Sequence, residues 1–295
     1  YKVIIQKGQI MKTGIVFEGG AFRTIFSCGV MDALVENDIM PDYMIGVSAG
    51  AAYGVSMASK QPRRNLDVLM KYRNDKRYLG LSNMIDKDNK SIYGLEFSYE
   101  TIPNELNLFD YDAFKQYKGD FYCVVTNLLT GQPEYMKYTG DDRTNTVLKA
   151  TCALPMLFPP IIINDVPYMD GGLSDSIPYL KAIEDGCDRI IVVLTRQSGY
   201  TKTTSRSTKA IAYSYRNQYP KLTETMLTRA SRYNESLKGL DQYVKEGRII
   251  TIQPTTSKGF SRLEKDKNKI LSMYNDGYNQ CYELLDTIKE FYGIK

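Results

Sequence analysis

The sequence contains no histidine at any of its 295 positions. A Ser-His-Asp triad, a Cys-His pair and every metal site built on imidazole ligands are therefore excluded. A serine or threonine hydroxyl is a weak nucleophile without a base. If this chain carries such a nucleophile, its base must be a carboxylate, a lysine or a tyrosine.

Paired cysteines and long apolar runs are also missing. The five cysteines are odd in number, form no CxxC pair, and favour reduced, buried thiols over a disulfide framework or a zinc site. No apolar run approaches the roughly 18 residues of a transmembrane helix, and the amino terminus lacks the pattern of a signal peptide. The sequence therefore predicts a cytoplasmic protein. Met11 opens the first clear strand and is interpreted as the natural start, which leaves open whether residues 1–10 are native.

The composition is that of an ordinary globular protein, with 43% apolar and 24% charged residues. The net charge of +4 is small for this length and argues against a nucleic-acid partner, which would need a concentrated basic face. Weak attraction to an anionic lipid surface is compatible with this charge, so peripheral contact with a membrane is left open. The oligomeric state is not indicated, and no cofactor or metal is expected.

Apolar segments of strand length alternate with segments of helical periodicity, which predicts an α/β protein whose parallel sheet is covered on both faces. Residues 12–196 are interpreted as the core of the protein. Residues 197–295 are interpreted as a mainly helical extension with one late strand, packed on the same domain. Residues 79–120 show no clear pattern. The predicted strands are 12–17, 43–45, 121–126, 189–195 and 248–253, with a hairpin at 161–169.

The pentapeptide Gly46-Val47-Ser48-Ala49-Gly50 lies where a predicted strand meets a predicted helix. In a sharp turn of this kind, flanking glycines let neighbouring backbone approach, and the serine oxygen projects over the strand ends at the positive end of the helix. Ser48 is therefore the candidate nucleophile. A helix-capping serine in a tight turn is the alternative interpretation.

Asp170 is the best candidate for the base that the missing histidine requires. It ends the predicted hairpin and precedes Gly171-Gly172, which leave its side chain free to approach another loop. Burial in an apolar site would raise its pKa from about 3.9 and make it a better base near neutral pH. A plain Asp-Gly turn is the alternative.

A third motif, Gly19-Gly20-Ala21, follows the first strand and opens a helix. Successive backbone N–H groups there can converge on a developing oxyanion, and Arg23 can add positive charge. A dinucleotide fingerprint would need separated glycines, and a P-loop would need a GK[ST] sequence, so neither fits. Simple helix capping remains the alternative.

Taken together, these motifs resemble the three ordered motifs of the patatin-like phospholipase family, in its bacterial type. The segment from Ala150 to Pro160 is similar to the stretch that precedes the family's aspartate, and the match spans about residues 12–196. The resemblance implies a three-layer α/β/α sandwich and metal-independent hydrolysis of fatty-acyl esters in phospholipids or lysophospholipids. It also implies that Ser48 is the nucleophile, Asp170 the base, and Gly19, Gly20, Ala21 and Arg23 the oxyanion hole.

The chain departs from the family pattern at two positions. The family usually has glycine where this chain has Ala21 and Thr24. An alanine keeps its backbone N–H, so we expect a functional oxyanion hole with negative φ at Ala21. A positive φ there would strain the hole.

Three hypotheses remain for what the protein acts on or binds. The first is a phospholipid or lysophospholipid hydrolase, with an acyl channel lined by Leu154, Met156, Leu157 and Phe158, residues that simple core packing would explain equally well. The second is a thioesterase or carboxylesterase acting on soluble acyl esters. The third is an acyl-binding regulatory protein with little turnover.

Overall fold

The computed structural model describes residues 11–87 and 89–294, so the question of residues 1–10 lies outside it. The strands are β1 (Thr13–Phe17), β2 (Tyr43–Val47), β3 (Asp120–Asn127), β4 (Pro133–Lys137), β5 (Ile161–Ile163), β6 (Val166–Asp170), β7 (Arg189–Val193) and β8 (Ile249–Ile252). The helices are α1 (Ile25–Glu36), α2 (Ala49–Ala58), α3 (Arg64–Tyr72), α4 (Ser82–Ile85), α5 (Tyr111–Gln116), α6 (Thr146–Cys152), α7 (Tyr179–Glu184), α8 (Arg206–Ser214), α9 (Pro220–Lys245), α10 (Lys267–Glu283) and α11 (Leu285–Tyr292). A π-helix covers Phe97–Leu106, and 3-10 turns cover Ala21–Thr24 and Gly171–Leu173.

One sheet organises these elements in the order β5-β6-β3-β2-β1-β7-β8, with β4 also paired to β3. Strands β1, β2, β3, β7 and β8 run parallel, whereas β4, β5 and β6 are antiparallel to their neighbours. The strands predicted from sequence are all present, and the predicted hairpin at 161–169 turns at Asn164 and Asp165.

Both faces of the sheet are buried. Ile15 and Phe17 of β1 pack into one apolar cluster with α1 and α10, while Val16 between them packs into another cluster with α7 and α9. Side chains alternate across a strand, so this division places helices on both faces. The three-layer α/β/α sandwich is therefore confirmed.

Strand β3 brings two other strands together end to end. It pairs with β2 through residues 120–124, with β6 through 125–127, and with β4 through 122–126. A strand has two edges, and β4 overlaps both other partners, so β2 and β6 must share the opposite edge. Val47 pairs with Val124 and Asp170 with Val125, which places the end of β6 against the end of β2.

The carboxy-terminal region packs on this sheet. β8 extends it beside β7, and α10 lies along α1. The two helices approach closely because Gly29 and Gly277 face the partner backbone: a methyl group at Gly29 would overlap the carbonyl oxygen of Tyr274, and one at Gly277 that of Phe26. The division into 12–196 and 197–295 stays a prediction, but α10 completes the core beside α1.

Residues 79–120, which showed no clear pattern, form short elements held by aromatic packing. Tyr78 packs edge-on against Tyr93, and the Arg77 guanidinium lies 4.4 Å from the centre of the Phe97 ring. Strand β4 was also missed, because its side chains are only half-buried and carry no clear alternation. No helix in residues 11–87 or 89–294 is long and apolar enough to cross a membrane.

The close crossing of α1 and α10 predicts a cost for a single added methyl group. Gly29→Ala forces the new Cβ into the Tyr274 carbonyl, so the helices must separate. We expect the free energy of unfolding, measured by chemical denaturation, to fall by about 2 kcal/mol or more, although alanine favours a helix by about 1 kcal/mol over glycine. Ser272→Ala, an exposed change on α10, should alter it by less than about 0.5 kcal/mol. Equal stability of the Gly29→Ala and Ser272→Ala proteins would contradict the described crossing.

Candidate active site

Ser48 connects the end of β2 to the start of α2 in a strained backbone conformation, with φ 55° and ψ −129°. The turn is possible because its neighbours lack side chains: a methyl group at Gly46 would lie 2.5 Å from Ala51, and one at Gly50 2.5 Å from the carbonyl oxygen of Phe17. The Ser48 N–H donates to the Thr151 hydroxyl at 2.9 Å. Strain of this kind persists only where the surroundings hold it, and it concentrates at functional sites.

Asp170 ends β6 and is almost completely buried, with 2% of its surface exposed. Its Oδ1 atom accepts a hydrogen bond of 2.8 Å from the Gly172 N–H. Burial raises the pKa of this carboxyl above its ordinary value, and the nearby Arg229 guanidinium is the largest opposing influence. Asp170 is thus a carboxylate whose ionised form is poorly solvated and partly balanced by one cation.

The ends of β2 and β6 bring Ser48 and Asp170 together. The Ser48 hydroxyl lies near enough to the carboxylate to lower its pKa, although the two side chains do not form a short, well-aligned hydrogen bond. Long contacts of this type are common before a substrate is bound. The Cys152 thiol also lies beside Ser48, but burial raises its pKa to about 12, so it stays protonated near neutral pH.

The glycine-rich turn lies directly against the serine. A methyl group at Gly19 would come within 2.9 Å of the Ser48 Cβ and 2.7 Å of the Val47 carbonyl oxygen, so only glycine fits there. The amides of Gly19, Gly20 and Ala21 find no protein acceptor among the described residues, whereas those on either side of them do. Three N–H groups therefore remain available beside Ser48.

The expectation of negative φ at Ala21 is wrong. Its φ is 50°, in the left-handed region that glycine adopts without strain and that costs other residues roughly 1–2 kcal/mol. Ala21 takes this conformation between Gly20, at φ −167° and ψ 14°, and the rest of the 3-10 turn that it begins. This conformation explains why the family usually has glycine at this position. In this chain an alanine adopts it instead.

Arg23 sits in the same 3-10 turn and is 6% exposed. Its Nε atom has no hydrogen-bond partner among the described residues. Burial, together with Arg196 and Arg262, lowers its pKa to about 10, so it remains a cation at neutral pH. An unpaired buried guanidinium beside three free amides makes this side of Ser48 strongly attractive to negative charge.

An apolar cavity of about 130 Å³ opens on the other side of Ser48. Aromatic and aliphatic side chains form most of its wall, including Phe22, Tyr53 and Ile102. Of the four residues predicted to line an acyl channel, Leu154 and Phe158 do so, whereas Met156 is 55% exposed and Leu157 packs beside Phe158 in a neighbouring apolar cluster.

A second, smaller and polar cavity of about 50 Å³ shares Ser48, Ala21 and Leu154 with the first. Its basic residues beyond Arg23 were not identified from sequence, because they come from three separate segments that only the fold brings together. In the described part of the chain, no cluster of three or more cysteine or acidic side chains is arranged to hold a metal ion. The basic residues that sequence analysis missed are Arg196, Lys202, Arg229 and Arg262.

Comparison with known proteins places this chain in a family. The model of the patatin-like phospholipase family matches residues 15–183, which is more than half of the chain. The chain therefore belongs to the patatin-like phospholipase family, as its motifs predicted. Residues 219–293 match a separate model that describes a domain of unknown function.

Individual relatives match different shares of this chain. An uncharacterized Escherichia coli protein, YjjU, is 28% identical over 64% of this chain and 53% of its own length. The lysophospholipase nte1 of Aspergillus terreus is 29% identical over 61% of this chain but only 12% of its own. The chain thus spans about half of the first relative and about an eighth of the second. Among solved structures, VipD from Legionella pneumophila aligns over 95% of this chain and 67% of its own, with 16% identity and a TM-score of 0.45.

The positive φ of Ala21 predicts the effect of restoring glycine. Ala21→Gly removes a Cβ from a left-handed residue, and the relief of strain offsets the greater entropy of glycine in the unfolded chain. We expect kcat/KM for a neutral nitrophenyl ester to stay within tenfold of the original or to rise, and the free energy of unfolding to change by less than about 1 kcal/mol. A fall in kcat/KM of more than tenfold would show that the alanine methyl group itself serves the site.

Proposed function

We propose that this protein is a serine acyl hydrolase that cleaves fatty-acyl esters of phospholipids or lysophospholipids through Ser48 and Asp170. One observation carries the proposal: a serine in a strained conformation lies close to a buried carboxylate and beside three free amides. The adjoining apolar cavity gives a place for an acyl chain, which favours lipid esters over small soluble ones. Family membership supports the same chemistry.

The proposed reaction has two halves. The Ser48 oxygen attacks the ester carbonyl while Asp170 accepts its proton, and the oxyanion binds the amides of Gly19, Gly20 and Ala21 with Arg23 nearby. Asp170 then gives the proton to the leaving alcohol as the acyl-serine forms. In the second half Asp170 takes a proton from water, the resulting hydroxide attacks the acyl-serine, and the fatty acid leaves as Ser48 regains its proton.

A second candidate function is favoured by one observation. The left-handed Ala21 strains the turn that would hold the oxyanion, as in a protein that binds acyl groups but turns them over slowly. Reaction with a fluorophosphonate separates the two candidates, because labelling at Ser48 requires an activated serine, whereas binding alone does not.

Removing either proposed catalytic group should abolish hydrolysis. Ser48→Ala lacks the nucleophile, and Asp170→Asn carries an amide that cannot accept a proton, so we expect kcat on a lysophospholipid to fall by at least about 10³-fold in each. Fatty-acid release measures the rate. Because burial raises the pKa of Asp170 above 3.8, and only the ionised form acts as base, the original protein should gain activity with rising pH, with a midpoint above 3.8.

Two exposed changes serve as controls. Ser207→Ala lies in α8, and Asp165→Asn lies at the tip of the hairpin that delivers Asp170. Both should keep full activity, and Ser48→Ala should keep its free energy of unfolding within about 1 kcal/mol. Substantial activity in either Ser48→Ala or Asp170→Asn would refute the proposed pair.

Substrates of this kind reside in membranes, and α4 offers a contact surface. Leu81 is 74% exposed and Ile85 is 85% exposed, on a segment whose two ends, Tyr78 and Tyr93, line the apolar cavity. Lys87 and Lys90 follow it in sequence, but Asp86 and Asp88 alternate with them, so residues 81–90 carry no net charge. We infer that Leu81 and α4 rest in the surface of a membrane and open the cavity toward lipid.

Replacing the two apolar side chains should weaken that contact. Leu81→Asp combined with Ile85→Asp removes about 2 kcal/mol or more of interfacial transfer energy and adds two negative charges. We expect the partition coefficient on phosphatidylglycerol vesicles, measured by cosedimentation, to fall at least tenfold. Leu180→Asp, an exposed leucine on α7 on the opposite face of the sheet, should leave it unchanged. Equal binding by the doubly substituted and original proteins would exclude α4 as the contact.

A further inference from the structure

The polar cavity beside Ser48 contains more positive charge than the proposed reaction uses. Five basic side chains line it against two acidic ones, Glu18 and Asp170. This basic cavity is defined here by Arg23, Arg196, Lys202, Arg229 and Arg262.

The two carboxylates offset the charge of these five cations only in part. None of the five forms an ion pair within 4.0 Å in residues 11–87 and 89–294. The Glu18 Oε2 atom instead accepts hydrogen bonds from the N–H and hydroxyl of Thr195, at 2.6 and 3.0 Å. Lys202 and Arg196 lie over the rings of Tyr233 and Tyr200, at 3.8 and 4.4 Å from the ring centres. The cavity therefore carries an excess of positive charge, and aromatic rings hold two of its cations in place.

Burial makes this excess costly while the cavity holds no anion. The Nε atoms of Arg23 and Arg229 have no hydrogen-bond partner within the described ranges. Burial and the neighbouring Arg229 lower the pKa of Lys202 to about 7. Cations forced together without partners are stabilised when an anion enters, because it supplies both the missing charge and the missing acceptors.

Much of this charge comes from outside the core that the patatin-like model matches. Arg196 and Lys202 follow β7, Arg229 projects from α9, and Arg262 lies in the loop before α10. The backbone of Arg262 also accepts a hydrogen bond of 3.0 Å from the Phe22 N–H, which ties this loop to the glycine-rich turn. The segment of unknown function therefore helps to build the wall of the site that contains Ser48.

We propose that the basic cavity binds the phosphate of the leaving alcohol, so that the preferred substrate is an acyl ester carrying a phosphomonoester. This inference rests on the proposed hydrolase function and names its substrate class. Ser48 lies at the junction of the two cavities, so an acyl chain on the apolar side places the alcohol portion on the basic side. The five basic and two acidic side chains give an excess of two to three positive charges, depending on whether Lys202 is protonated, which suits a phosphate dianion and repels the quaternary ammonium of a choline headgroup.

Binding to the Ser48→Ala protein tests the cavity without turnover. We expect oleoyl-lysophosphatidate to bind at least tenfold more tightly than oleoyl-lysophosphatidylcholine, measured by calorimetry below the micellar concentration. The double change Lys202→Met with Arg262→Gln should reduce this preference to less than threefold. Arg206→Gln, an exposed charge removal on α8, should leave it unchanged. Equal affinity for the two lipids in the Ser48→Ala protein would overturn the inference.

Turnover by the original protein separates failure of this inference from failure of the proposed function. If both lipids and monooleoylglycerol are hydrolysed at similar kcat/KM and the fluorophosphonate labels Ser48, the hydrolase function is supported and the phosphate preference is rejected. Tight lysophosphatidate binding without hydrolysis or labelling would overturn the hydrolase and keep the site. Protection of Ser48 from labelling by inorganic phosphate, without any preference between the lipids, would show a free-phosphate site and reject the headgroup assignment.

Discussion

The arrangement around Ser48 depends on how β3 holds β2 and β6 end to end along one edge. The main-chain pairing fixes the two strand ends against each other, so the serine and Asp170 meet without relying on flexible loops. Thr151 secures the junction, because its hydroxyl donates to the Val124 carbonyl at 2.6 Å and accepts from the Ser48 N–H. A sheet that supplies the geometry through its backbone leaves the side chains free for chemistry.

Charge then decides how this geometry can be used. Asp170 is buried, and the basic residues around it partly offset the cost of its ionisation. These basic residues in turn have too few acidic partners to balance their charge. Two carboxylates, those of Glu18 and Asp170, and a surplus of cations thus share a space too small for much water, so the protonation of each group depends on what occupies the cavity. A base and a binding pocket built this way are electrostatically coupled.

Much of the fold and part of the site could be predicted from sequence. The strands and the three motifs can be predicted from local sequence patterns: apolar runs, a hairpin turn at Asn164 and Asp165, and glycines where backbones touch. The sign of φ at Ala21 could not be predicted, because the residue type favours negative φ whereas the glycine-rich turn places this residue in the left-handed region. The basic cavity could not be predicted either, since Lys202, Arg229 and Arg262 are distant in sequence and each resembles an ordinary surface charge.

The glycine contact between α1 and α10 bears on how this architecture can be recombined in evolution. The boundary between the two family models falls in sequence between residues 183 and 219, yet the packing between their segments runs through a shared core rather than across a linker. The carboxy-terminal segment is therefore no interchangeable module. A lineage that replaced it would have to supply a new cover for α1, and one that lost it would have to make that helix polar.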